Sequence, residues 1–209
     1  MSIGDAEIKT QERVIRFFKD PESLGYQYIG NLSDYQNKNI KEDRLRQYLR
    51  LKGYADKLID AAVMQLQQEA GNLSRGVYDA NKTVYSRLKY GIPVSESPEK
   101  PPVTVELIDE ANPLNNDFAI AEEVTVVEQQ EKRPDLVIYL NGIAVAVIEL
   151  KRSSISVSEG IRQNLTNQKD SFIRGFFTTM QFCMAGNESE GLRYGTLLTG
   201  EKFLYGMEG

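Results

Sequence analysis

Apolar positions in the first half of the chain recur at helical spacing, and in the second half they gather into short runs. Ala6 to Lys19 is predicted as a modestly amphipathic helix stopped by Asp20-Pro21. Tyr26 to Ile29 reads as a short strand, and Asn31 to Asn39 as a polar connection. Ile40 to Lys52 is the next predicted helix, with Leu45, Tyr48 and Leu49 as its apolar stripe and Gly53 at its end. Asp56 to Glu69 carries Ile59, Val63 and Leu66, and Val77 to Tyr90 carries Val84 and Leu88 before Gly91. The stretch Ser95 to Pro102 is the clearest punctuation. Strands are expected beyond it at Val103–Asp109, Phe118–Val127, Asp135–Leu140 and Ala144–Glu149, then a helix over Val157–Lys169 and strands at Gln181–Ala185 and Tyr194–Leu198. That order implies an α/β fold, one sheet carrying helices on its faces. Three parts are expected within one compact domain: residues 1–94, a helical N-terminal part giving one helix to the core; residues 95–102, a proline-rich connection; and residues 103–209, the strand-rich remainder.

The two strands after Arg133-Pro134 are joined by Asn141-Gly142, the strongest short-range hairpin signal. An acid, Asp135, opens the first strand, and Glu149-Leu150-Lys151 ends the second, putting Glu149 and Lys151 on one face. Register decides whether the acids meet. With Asn141 and Gly142 alone as the loop, Leu140 would pair with Ile143, Asp135 would oppose Ile148, and the two carboxylates would project from opposite faces. An odd-numbered loop, such as a type I turn closed by Gly142, would place them together. The expectation is that they share a face, because two converging acids make an oxygen site for a hard divalent cation. The plainer alternative has Asp135 as a turn residue and Glu149 and Lys151 as charges where a strand reaches solvent.

Composition narrows the chemistry. The chain has no histidine, which removes histidine-dependent triads and His-ligated zinc, leaving carboxylates, lysine, tyrosine and a metal held by oxygen. Its single cysteine, Cys183, excludes an internal disulfide and fits a reducing compartment, so a cytoplasmic location is expected. No apolar run is long enough to span a membrane, and no signal peptide is apparent. A net charge of −5 argues mildly against a general nucleic-acid binder. Basic residues nevertheless crowd two places: Lys38 to Lys57, and the surroundings of the hairpin at Lys132, Arg133, Lys151, Arg152, Arg162, Lys169 and Arg174. They are either solvated faces or contacts for a phosphate backbone.

Glu42 falls on the same stripe as Leu45 and Leu49. It is either a core-facing acid held by a partner or cation, or, more simply, a first-turn acid that favours the helix dipole and stays in water. Gly195 to Lys202 nearly spells a phosphate-binding loop, but Glu201 stands where that loop needs lysine, so no nucleotide site is expected.

Arg133-Pro134-Asp135 through Asn141-Gly142 to Glu149-Leu150-Lys151 resembles the nuclease signature in the N-terminal domain of type I restriction endonuclease R subunits, within the PD-(D/E)xK superfamily. Glu42 to Tyr54, Asn81 to Gly91, Asn115 to Phe118 and Arg193 to Thr196 also resemble blocks of that family. The resemblance implies a restriction-endonuclease-like core, a mixed and mostly antiparallel sheet flanked by helices, formed by residues 103–209. It implies Asp135, Glu149 and the backbone carbonyl of Leu150 as Mg2+ ligands, and Lys151 as the residue that orients or activates the attacking water. Gln163 matches the glutamine of a Gln-x-x-x-Tyr motif whose tyrosine position holds Asn167. Glu42 matches the upstream helical acid, with Asp43 and Glu69 as competitors. The implied activity is Mg2+-dependent cleavage of double-stranded DNA. ATP would be used only by the motor of a full-length subunit, and methyltransferase and specificity subunits would be the partners. Two alternatives are a non-catalytic module docking onto the methyltransferase core and a stand-alone structure-specific nuclease.

Overall fold

A computed structural model describes residues 5–95, 97 and 99–206; for Asp5–Glu7 and Phe203 it describes the backbone alone. In chain order the elements are α1 (Asp5–Lys19), β1 (Gln27–Asn31), α2 (Glu42–Leu51), α3 (Asp56–Gly71), α4 (Val77–Tyr90), β2 (Ile92–Val94) and β3 (Val103–Val105). Then come β4 (Phe118–Glu122), β5 (Val126–Val127), β6 (Glu131–Lys132), β7 (Leu136–Leu140), β8 (Ile143–Leu150), α5 (Val157–Asn167), β9 (Phe182–Asn187), β10 (Gly191–Gly195) and β11 (Tyr205–Gly206).

One seven-stranded sheet runs in the order β1-β4-β7-β8-β9-β10-β11. Its β1–β4 and β8–β9 pairs are parallel and the others antiparallel. This is the mixed, mostly antiparallel sheet flanked by helices that was expected. Side-chain alternation splits its apolar residues between two layers. Ile120, Leu136, Ile138, Ile148 and Leu150 face α1 through Ile15, while Ala121, Val137, Tyr139 and Val147 pack on Phe176 and Phe177. Helices α2, α3 and α4 form a further cluster around Leu45, Ile59, Leu66 and Val84, joined to the sheet by Ile40 and Ile143.

The short strand expected at Tyr26–Ile29 is present as β1 and forms an edge of the sheet. Other local expectations change. The proline-rich stretch is spanned by a small ribbon, since Val94 pairs with Val103 and Ile92 with Val105; Glu96 and Pro98 lie outside the described residues. The strand expected over Phe118–Val127 breaks at Glu123, whose φ is 51°, and resumes as β5, which pairs with β6. A positive φ rotates the following residues off the pleat, so an apolar run that reads as one strand becomes two.

Candidate active site

Both acids of the hairpin lie at one end of the sheet. The loop is the two-residue one: Asn141 and Gly142 have φ of 52° and 82°, and Leu140 pairs with Ile143. The odd-numbered loop expected from the sequence is therefore absent. A β-bulge replaces it, because Ile138 pairs with Ala146 while Tyr139 pairs with Ala144, so Val145 is the extra residue of β8. Beyond the bulge Leu136 pairs with Ile148, which brings Asp135 opposite Glu149 on one face. The parity that the turn would have spoiled is restored in mid-strand.

Asp135 Oδ2 accepts a hydrogen bond of 2.6 Å from the backbone N–H of Leu150. Glu149 is fully buried, at 0% exposure, and its Oε2 accepts 2.6 Å from the side-chain amide of Gln163. Its other oxygen, Oε1, is buried and meets no donor group. Burial, then the charge of Asp135, push the Glu149 carboxyl well above the ordinary carboxylate range; a hydrogen bond shared with the Asp135 carboxyl and the charge of Glu123 add to the rise, and Lys151 opposes it. The ammonium of Lys151 donates 3.0 Å to the carbonyl of Leu150, the backbone oxygen between the two carboxylate-bearing strands.

Helix α5 holds this arrangement from behind. It starts at Ser156, whose hydroxyl accepts from the Ser158 N–H, and it crosses from β8 to the parallel strand β9. A Cβ at Gly160 would stand 3.0 Å from Ala185 Cβ and 3.5 Å from Glu149 Cβ, so glycine lets the helix approach the sheet there. One turn later Gln163 reaches Glu149. Asn167, a further turn on, is buried at 2% exposure and packs inside the protein rather than at its surface.

The structure does not bring Glu42 to Asp135 and Glu149. Ile40 bridges Ile143 at the hairpin tip, and the start of α2 lies against Gly142. That is the opposite end of β8 from Glu149, roughly 20 Å along the strand at ~3.3 Å per residue. Glu42 is exposed and pairs with Arg46 and Gln67. Among its competitors, Asp43 shares that first turn, and Glu69 is engaged by Arg87. The basic run around α2 is similarly occupied: Arg44 pairs with Asp117, Arg46 with Asp60, Arg50 with Asp56 and Lys52 with Asp109. Cys183 is buried in β9, and desolvation pushes its thiol up to about 12, away from the thiolate form.

The acid that does approach the pair follows the end of β4. Glu123 donates its N–H to the carbonyl of Asp135, 2.8 Å, and its carboxylate pairs with Arg133 at 2.8 Å. Gln11 of α1 donates to Glu122 and Glu123, and Tyr28 donates 2.5 Å to Glu122. Apart from Arg133, none of these residues stands out in the sequence pattern; Gln11 lies in a polar run, Lys9 to Arg13.

The family described as type I restriction enzyme R protein N terminus matches residues 7–203. The chain belongs to that family. Across 97 residues it is 33% identical to a relative from Methanocaldococcus jannaschii that carries the name of a type I restriction enzyme endonuclease subunit, MjaIXP, a match covering 43% of this chain and 9% of the relative. Across 85 residues it is 29% identical to the type I restriction enzyme SsaAORF53P endonuclease subunit of Staphylococcus saprophyticus, covering 41% of this chain and 9% of that one. These matches span about a tenth of the length of either relative. The fold of this R-protein N-terminal region is consistent with a restriction-endonuclease-like core. None of its helices, among the described residues, is long and apolar enough to cross a membrane.

The donor set of this R-protein region suits Mg2+. Among the described residues no three His, Cys, Asp or Glu side chains form a cage. A cation at this point would rest on two carboxylates, a carbonyl and water, the sparse all-oxygen shell that Mg2+ accepts. Glu149 Oε1, which meets no donor, is an atom such a cation would satisfy.

The raised Glu149 also makes the metal-free chain pH-sensitive. A carboxyl whose folded value lies above its ordinary 4.5 keeps a proton when folded that the unfolded chain releases. That stabilisation is complete below about 4.5 and is lost as pH rises through the folded value. Thermal melts in chelator should therefore fall as pH rises through this range, with Glu149→Gln flattening the dependence. Identical slopes for parent and variant would contradict the assignment.

Proposed function

We propose that this region is the DNA-cleaving part of a type I restriction enzyme, hydrolysing phosphodiesters of double-stranded DNA with Mg2+. Asp135, Glu149 and the Leu150 carbonyl would hold the ion. When bound, Mg2+ polarises a phosphoryl oxygen and acidifies a bound water. The rest falls to residues of the chain. The Leu150 N–H orients Asp135, and Gln163 orients Glu149. Lys151 follows Glu149 on the same face; released from the Leu150 carbonyl, its ammonium can position the attacking water and offset charge on the phosphoryl oxygens.

The single observation that carries this reading is the buried oxygen of Glu149 that meets no donor, beside Asp135, in a chain of this family. Contact with DNA would be mainly to its backbone, and target recognition would belong to the methyltransferase and specificity subunits. ATP would serve a motor outside these residues, and the assembled enzyme would act in the cytoplasm.

The test is cleavage by the restriction complex reconstituted with Mg2+ and ATP. Asp135→Ala should assemble with its partners and hydrolyse ATP, yet leave DNA uncut. Cutting at the parental rate would end the proposal. Cutting by these 209 residues alone, without ATP or partners, would instead favour a stand-alone nuclease.

A further inference from the structure

Glu123 is a residue with a side chain where the backbone favours one without. Its φ of 51° lies in the left-handed region, which glycine and asparagine adopt at less cost than glutamate. It stands where β4 ends and the chain leaves for the β5–β6 ribbon. Two hydrogen bonds close the base of that ribbon, Glu123 N–H to Asp135 O at 2.8 Å and Val124 N–H to Pro134 O at 3.0 Å. The strained residue is thus stitched to the backbone of the acid that opens the hairpin. Strain of this kind persists where surrounding structure over-determines it, and it gathers at functional sites.

The surroundings of the Glu123 carboxylate are built. Oε1 accepts 3.2 Å from the amide of Gln11, itself only 8% exposed, and Oε2 pairs at 2.8 Å with Arg133. Gln11 is fixed in turn, since the same nitrogen donates 2.9 Å to Glu122, whose other oxygen takes the Tyr28 hydroxyl at 2.5 Å. Gln11 of α1 and Arg133 thus fix this carboxylate, while the 2.8 Å backbone bond from Glu123 to Asp135 holds it beside the pair, near enough for its charge to act on Glu149. Arg133 balances the Glu123 carboxylate in the metal-free chain, and the buried Glu149 oxygen that meets no donor marks where a cation would be held.

We propose that Glu123 is a positioning residue of the cation site, its carboxylate holding the water ligands of the ion bound by Asp135 and Glu149, with Gln11 and Arg133 setting its orientation. The inference rests on the reading of Asp135 and Glu149 as a cation site and adds to it a residue from another strand. Mg2+ keeps several waters when carboxylates bind it, so a carboxylate beyond ligand distance still has something to hold. Partners of this kind typically change metal affinity by about 10- to 100-fold when removed.

The experiment is calorimetric titration of the 209-residue chain with Mn2+, beside thermal melts in chelator, for the parent, Glu123→Gln, Glu123→Asn and Asp135→Ala. Glu123→Gln removes the charge and keeps the shape, while Glu123→Asn also relieves the backbone. Both should bind Mn2+ at least ~10-fold more weakly. Glu123→Asn should melt at or above the parental temperature, an outcome that a merely structural carboxylate would not produce. Parental Mn2+ affinity in both Glu123 variants, with binding lost in Asp135→Ala, overturns the role of Glu123 and leaves the site standing. Parental affinity in Asp135→Ala, or no Mn2+ binding by the parent, overturns the cation site and Glu123 with it.

Discussion

Replacing Lys151 with alanine is expected to slow DNA cleavage by the assembled complex ~100- to 1000-fold, the usual cost of removing one preorganised group aimed at developing charge. The side chain is half-buried at the end of β8, with its ammonium 3.0 Å from the Leu150 carbonyl and close enough to oppose the upward shift of Glu149. Its removal leaves the carboxylate pair and the fold in place, so thermal stability should change little. Lys151→Arg should not restore cleavage, because a planar, weakly hydrated guanidinium does not reproduce a compact ammonium at one point. Quantifying linear product from circular DNA at fixed ATP and Mg2+ gives the rate. Parental cleavage by the alanine variant would remove Lys151 from the mechanism.

Gly142→Ala should be the most destabilising single-methyl change in the hairpin. At a φ of 82°, a side chain is strained whatever space surrounds it. Here there is no space either: a Cβ would stand 2.6 Å from Lys41 O and 2.8 Å from Leu45 N, both backbone atoms of the segment that starts α2. Strain and overpacking together predict a loss of roughly 3 kcal/mol or more, read as a lower urea midpoint for the chain. Its neighbour explains why the turn cannot move aside. Asn141 is fully buried; its side chain accepts from the Asp117 N–H and donates to Leu107 O and Asn116 Oδ1. The turn is therefore a clamp between the sheet and α2 as well as a hairpin. A loss below about 1 kcal/mol would show that α2 shifts freely and that this clamp is weak.

Strong local chemistry was readable without coordinates. Asn141-Gly142 between two β-branched runs predicted the hairpin, and glycines after Lys52 and Tyr90 predicted helix ends. Asp135 and the Glu149-x-Lys151 triplet stood out because charges at the ends of apolar strands need a reason. Gln163 was singled out only by the family resemblance, and its contact with Glu149 came from the way α5 packs on β8. Less local features were not readable. Nothing in Ile143 to Leu150 marks Val145 as a bulge, since the fit of β8 between β7 and β9 selects it. Glu42 and Glu123 look alike as acids near apolar runs, yet one is exposed near the hairpin tip and the other is tied through its backbone to Asp135.

The amino-acid sequence by itself put two carboxylates and a lysine at the ends of one β-hairpin and excluded histidine, while the amide of Gln163 entered through the family resemblance. Only the tertiary structure decided which of them meet. Periodicity and turn chemistry act over a few residues, whereas the approach of Glu123 to Asp135 and of Gln11 to Glu123 depends on how separate elements pack. A one-residue bulge inverts every face beyond it, and its position is an energy of the whole sheet.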